Sequence, residues 1–146
     1  MKKNRKLLLK LQLRCSTDIL ADVRSMVSDT AIEAGFPKSV AFQLALAVDE
    51  ACANIILHGF EGNSKGKFEL EIFTTVEGLV VTLHDSGRPF SGKIPLSIDL
   101  SGLIKEGRKG GLGLYMIGRV IDLVEYHTDR DGQNHLRLFK KRPPNR

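Results

Sequence analysis

Ala45-Leu-Ala-Val-Asp-Glu-Ala-Cys-Ala-Asn-Ile-Ile-Leu57 is an apolar run interrupted by a carboxylate and an amide, and its reading decides the fold. As a helix it places Glu50 and Asn54 one turn apart on a single stripe, aimed at the same place. Burying both without partners is costly, so the stripe is either a solvated face or the lining of a site. Leu44, Val48, Ala51 and Ile55 mark a second, buried stripe, and Leu46, Ala53 and Leu57 add apolar surface on a third. A helix so apolar must be sandwiched. Pro37 predicts its first turn, and Gly59 follows its last residue, His58.

Upstream, Leu7-Leu-Leu-Lys-Leu-Gln-Leu-Arg14 alternates Leu9, Leu11 and Leu13 with Lys10, Gln12 and Arg14, the pattern of a half-buried strand. Ser16, Thr17 and Asp18 offer capping side chains to a helix on which Ile19, Val23, Met26, Val27 and Ile32 recur, ending at a C′ glycine, Gly35. Downstream, Lys67 to Thr74 and Leu79 to His84 read as strands joined by a turn at Glu77-Gly78. A helix is expected over Leu114 to Ile121. A last hairpin follows, from Leu123 to Thr128 and from His135 to Phe139, with its turn at Asp131-Gly132. Early helices followed by a meander of strands predict an α/β fold. The expected architecture is a two-layer α/β sandwich whose mixed, mostly antiparallel sheet is covered by helices on one face.

The 146 residues suit a single domain, 1–146, with a basic N-terminus and a short disordered tail over Arg142 to Arg146. Hydrophobic residues at 42% and charged residues at 27% are the balance of a soluble globular protein. No apolar run is read as a membrane span and no secretory leader is apparent, which predicts a cytoplasmic protein and no membrane partner. Cys15 and Cys52 lie in separate apolar segments and are expected as buried free thiols, and no zinc spacing is present. The net charge of +5 suits an anionic partner without choosing it. With aromatic content at 6%, no Trp and no nucleic-acid module signature, no direct nucleic-acid binding is expected.

Two glycine-bearing segments bear on chemistry. Gly110-Gly-Leu-Gly113 opens a helix, where backbone N–H groups and the helix dipole suit a phosphate, and Arg108 and Lys109 precede it. Alone, Gly-x-Gly is equally a tight turn, and neither the dinucleotide fingerprint nor a P-loop is present. Asp85-Ser-Gly87 ends a strand and can set a carboxylate where it accepts a hydrogen bond from an exocyclic amine. Adenine carries that amine, whereas guanine has a carbonyl there; alone, Asp-x-Gly is a common turn.

In order, Glu-x-x-x-Asn on a helix, Asp-x-Gly after a strand, a long irregular gap and Gly-x-Gly opening a helix resemble the GHKL ATPase superfamily, which includes gyrase and the histidine kinases. Ala47 to Gly59 resembles its N-box, Leu83 to Phe90 its G1 box and Gly110 to Ile117 its G2 box. Length and detail, including Pro89-Phe90, look most like the small serine-protein kinases that act as bacterial anti-sigma factors, over Leu7 to Lys141. The resemblance implies binding of ATP and Mg2+, with Asn54 as metal ligand, Glu50 as catalytic base, Asp85 and Gly87 at adenine, and Arg108, Lys109, Gly110, Gly111, Leu112, Gly113 and Leu114 around the phosphates. Arg108 or Lys109 would reach the γ-phosphate, and Ser91 to Arg108 would form a lid. It also implies a homodimer that sequesters a sigma factor and phosphorylates an anti-sigma-factor antagonist. A module of the same fold that binds ATP without kinase activity is the alternative, and retention of Glu50 speaks against it. A histidine-kinase catalytic domain is disfavoured because the chain has no room for a phosphoacceptor helix pair.

Overall fold

The computed structural model describes residues 5–60, 65–89 and 117–144. Strand β1 (Lys6–Arg14) leads through a 3-10 turn (Thr17–Ile19) into α1 (Leu20–Glu33) and α2 (Lys38–Asn54), which continues as a π turn (Ile55–Gly59). Strands β2 (Lys67–Thr74) and β3 (Gly78–Asp85) form a hairpin, and β4 (Leu123–Thr128) and β5 (Asn134–Lys141) form another. The sheet order is β1-β2-β3-β5-β4, and all four pairings are antiparallel. The central strand β3 therefore lies between β2 and β5.

Alternation sorts the sheet into two faces. Leu70 and Ile72, Leu79, Val81 and Leu83, and Leu136 and Leu138 join the core with Val23, Val27 and Ala31 of α1 and Leu44, Val48, Ala51 and Cys52 of α2. The opposite face carries the intervening residues, and the register ranks them in transverse rows. One row is apolar, Leu7, Phe73, Val80, Phe139 and Leu123; another is charged around Thr82, with Lys10, Glu71, Arg137 and Glu125. A third runs Gln12, Glu69, His84, His135 and His127. The helices thus pack on one face of an antiparallel sheet, the two-layer arrangement expected from the sequence.

Local chemistry explains the helix ends, with two departures from expectation. At the end of α1, Gly35 has φ 99, the N–H of Phe36 reaches the carbonyl of Ala31 and that of Gly35 reaches Ile32, which together make a Schellman cap. The start of α1 has no side-chain cap. Asp18 reaches back instead to the Arg14 guanidinium at 3.0 and 3.2 Å. Pro37 stands one residue before α2 with ψ 150, because its fixed φ suits the extended residue that precedes the helix as well as the first turn.

Two further expectations change. Lys38–Gly59, α2 with its π turn, is long and apolar enough by length and composition to cross a membrane, contrary to the reading that no such run exists. It serves as the core helix, with Ala41, Leu44, Ala45, Ala47, Val48, Ala51 and Cys52 buried against α1 and the sheet. At the C-terminal end, Arg142 is fastened rather than loose. Its guanidinium donates to the carbonyls of Ala34 and Thr75 and to Thr74 Oγ1, and sits 5.1 Å from the Phe36 ring centroid. Cys15 and Cys52 are free and buried as expected; burial pushes the Cys15 thiol up to about 11, Asp85 adding to the effect, and pushes Cys52 higher still.

Candidate active site

Glu50 and Asn54 occupy the last turns of α2, on a stripe beside the buried one, and both are partly exposed. No hydrogen bond among the described residues occupies either side chain. Burial raises the Glu50 carboxyl to about 7, and the charge of Asp49 adds to it. Asp49 is itself paired with Arg24 of α1 at 3.1 Å, which ties the two helices together beside Glu50. The α-helix gives way to the π turn immediately after Asn54. Widened turns of this kind recur at functional sites, where they re-aim the side chains around them.

Asp85 ends β3 at the helix-side parity of Leu79, Val81 and Leu83 and is 6% exposed. Its Oδ1 accepts from the Gly87 N–H at 2.9 Å and from Asn134 Nδ2 at 2.9 Å. Among the described residues no hydrogen bond engages Oδ2, so Oδ1 is the oxygen they fix. Asn134, 1% exposed at the start of β5, also donates to the Gly87 carbonyl at 2.9 Å and accepts from Thr128 Oγ1 at 2.6 Å. Thr128, Asn134 and Asp85 thus form a chain of hydrogen bonds across β4, β5 and β3.

The Asp85–Gly87 turn is pressed onto the end of the α2 helix. The Arg88 N–H donates to the Gly59 carbonyl at 2.6 Å, and a Cβ on Gly87 would stand 2.6 Å from that same oxygen. Gly87 therefore has a reason internal to the protein for lacking a side chain. The contact fixes the carboxylate turn relative to the helix that carries Glu50 and Asn54. Arg108, Lys109, Gly110, Gly111, Leu112, Gly113 and Leu114, and the lid expected from Ser91 to Arg108, lie outside the described residues.

Sequence reasoning passed over Asn134. A signal was present: Asn134 and Asp85 are polar residues at the inward parity, in line with Leu136 and Leu138 on β5 and with Leu79, Val81 and Leu83 on β3. Two such residues on paired strands imply a buried polar contact, because each needs a partner once it leaves water.

A model of the histidine kinase-like ATPase domain matches residues 15–140. The chain belongs to this family. Among curated relatives of this ATPase-domain protein, the serine-protein kinase RsbW of Listeria monocytogenes is 29% identical over 123 residues, covering 82% of the chain and 78% of the relative. RsbW of Halalkalibacterium halodurans is 29% identical over 128 residues, covering 83% and 76%. The solved SiaB–SiaC complex from Pseudomonas aeruginosa shares the fold, with TM-score 0.65, 18% identity and coverage of 96% of this chain and 93% of that one. The RsbU and RsbW domains of a Mycobacterium tuberculosis protein match with TM-score 0.63 and 16% identity, this chain covering 34% of that larger one.

Proposed function

We propose that the protein is an MgATP-dependent protein serine/threonine kinase and anti-sigma factor, which sequesters a sigma factor and phosphorylates an anti-sigma-factor antagonist. The observation that carries the catalytic part is Glu50, a half-buried carboxyl held up at about 7, one turn before Asn54 on the helix against which the Asp85 turn is packed. A base with that affinity for protons is matched to neutral pH, and a purely nucleotide-binding domain has no use for one. The names of the curated relatives, serine-protein kinase RsbW, support the same reading.

The residues fit the nucleotide and its metal. Asp85 offers Oδ2 as acceptor to the adenine amine while Asn134 and Gly87 hold Oδ1. Asn54 offers an amide oxygen that no described hydrogen bond consumes, a hard ligand suited to Mg2+. When bound, the ion offsets the phosphate charge that builds during transfer. Glu50 accepts the proton of the substrate hydroxyl as its oxygen attacks the γ-phosphorus and ADP leaves. The phosphate contacts fall to Gly110 through Leu114, by their likeness to the family's G2 box, and to Arg108 and Lys109 just before it. We further propose a cytoplasmic homodimer built from a single domain.

The test is transfer of radiolabel from ATP to candidate antagonist proteins. Label on an antagonist serine or threonine, lost in Glu50→Gln with ATP affinity retained, is the expected result. ATP binding with no transfer to any antagonist would leave a nucleotide-dependent binding module. Equal loss of ATP binding in Glu50→Gln would make Glu50 structural.

A further inference from the structure

Three of the chain's four histidines stand in one row on the sheet face away from the helices, and the ATPase chemistry uses none of them. His84 and His135 are direct cross-strand partners on β3 and β5, and their Nδ1 atoms face one another at 2.7 Å. His84 Nε2 is 3.2 Å from Glu71 Oε1, and His135 Nε2 is 2.9 Å from Asp129 Oδ2. His127 of β4 stacks on His135 with centroids 4.8 Å apart.

The partners settle where the protons sit. An ionised carboxylate only accepts, so both Nε2 atoms carry hydrogen. Asp129 is ionised: the His135 hydrogen bond and the N–H groups of Gln133 and Asp131 hold it below the usual carboxylate range. Glu71 accepts from Thr82 Oγ1 as well as from His84. With both Nε2 atoms protonated, two neutral rings would oppose Nδ1 lone pairs, and two imidazolium rings would oppose N–H groups. One proton between them satisfies both, and the pair then carries one positive charge. A metal ion bonded at about 2.0–2.1 Å to each nitrogen at a tetrahedral angle would hold them roughly 3.3–3.4 Å apart. The observed separation fits the proton, and no three His, Cys, Asp or Glu side chains among the described residues are arranged to hold a metal.

The charged surroundings favour that cation. Glu71 and Glu69 of β2 and Asp129 in the β4–β5 turn face it, while Lys10 of β1 lies 3.9 Å from Glu71 and Arg137 of β5 is engaged by Glu125 of β4 at 3.7 Å. The next pair along the same ladder is Asp85 with Asn134, on the helix side. We propose that His84 and His135 form a one-proton binding site that clamps this end of β3 to β5 and so holds the Asp85–Asn134 hydrogen bond closed. Raising the pH removes the proton, leaves opposed lone pairs and loosens the adjacent pair. The proton site stands on its own geometry; only its consequence for ATP rests on the function proposed above.

The test is NMR on the nucleotide-free chain labelled with 15N in histidine and asparagine, titrated with base. Both Nδ1 signals are expected to shift together in one step that releases a single proton from the pair, with the Asn134 side-chain amide protons shifting in that same step. In His84→Gln the Asn134 signals should no longer follow a histidine step, although Glu50 is unchanged. Two independent steps releasing one proton each, or Asn134 signals that ignore the step, would overturn the proposal. If His84→Gln fails to fold, the wild-type titration alone decides. In a parallel ATP titration below and above the step, weaker binding above it is expected for wild type alone. Failure to bind ATP at either pH would count against the nucleotide reading and leave the NMR result standing.

Discussion

Glu50 is the residue at which pH should act most directly on chemistry. Its carboxyl, raised to about 7 by burial and by Asp49, cannot accept a proton while it holds one. Phosphotransfer by wild type at saturating ATP should therefore climb as pH passes through about 7 and level off above it, a profile readable from single-turnover rates. Stability runs the other way. A raised carboxyl means that the folded chain favours the protonated form, so wild type should lose stability relative to Glu50→Gln from about 4.5 to about 7, read as urea midpoints. Asn134 is the second residue with a sharp expectation. Asn134→Ala removes two donated hydrogen bonds from a buried site and the acceptor of Thr128 Oγ1, at a cost of roughly 1–3 kcal/mol in unfolding free energy. ATP affinity, measured by calorimetry, should fall with it because Asp85 Oδ1 is no longer held.

At the scale of elements, the contact between the Asp85 turn and the end of the α2 helix is the joint of the site. Gly87→Ala places a Cβ 2.6 Å from the Gly59 carbonyl, which is backbone and has little freedom to yield. Overpacking of this kind costs about 1–3 kcal/mol, and the turn must lift from the helix to absorb it. Thermal unfolding should show the loss, and ATP affinity should drop more than for a surface control such as Val76→Ala. The elements themselves were legible because hydrophobic period and punctuation agreed: alternating Leu in β1, a glycine at the close of α1, an unbroken apolar stripe in α2. The 3-10 turn was not, since whether Asp18 caps the helix or pairs with Arg14 depends on where β1 ends in space. Nor was the fastening of Arg142, whose partners lie at Ala34, Thr74 and Thr75, far off in sequence. Within the site, Glu50, Asn54 and Asp85 stood out as polar residues in apolar segments. Asn134 did not, because its meaning comes from cross-strand pairing with Asp85.

For the whole molecule, the fastening of the Asp85 turn is a collective property of three strands and a helix. Asp85→Asn keeps the size of the side chain while replacing one acceptor oxygen with a donor, so the preference for ATP over GTP should shrink in competition binding. Unchanged selectivity would remove Asp85 from the base contact. The order of the strands has a consequence for how this molecule comes into being. β5 is translated after both β3 and β4, yet it lies between them. While a ribosome is still working through residues 123–133, β3 has its partner on one side only, and the Asp85 carboxylate has no Asn134 to hold it. The β1–β2–β3 meander and the α1–α2 layer are complete in sequence by Asp85, but the Asp85–Asn134 contact forms only when the last strand enters between β3 and β4. Chains interrupted before that point would carry Glu50 and Asn54 and still lack the fastening of Asp85, which only a completed chain acquires.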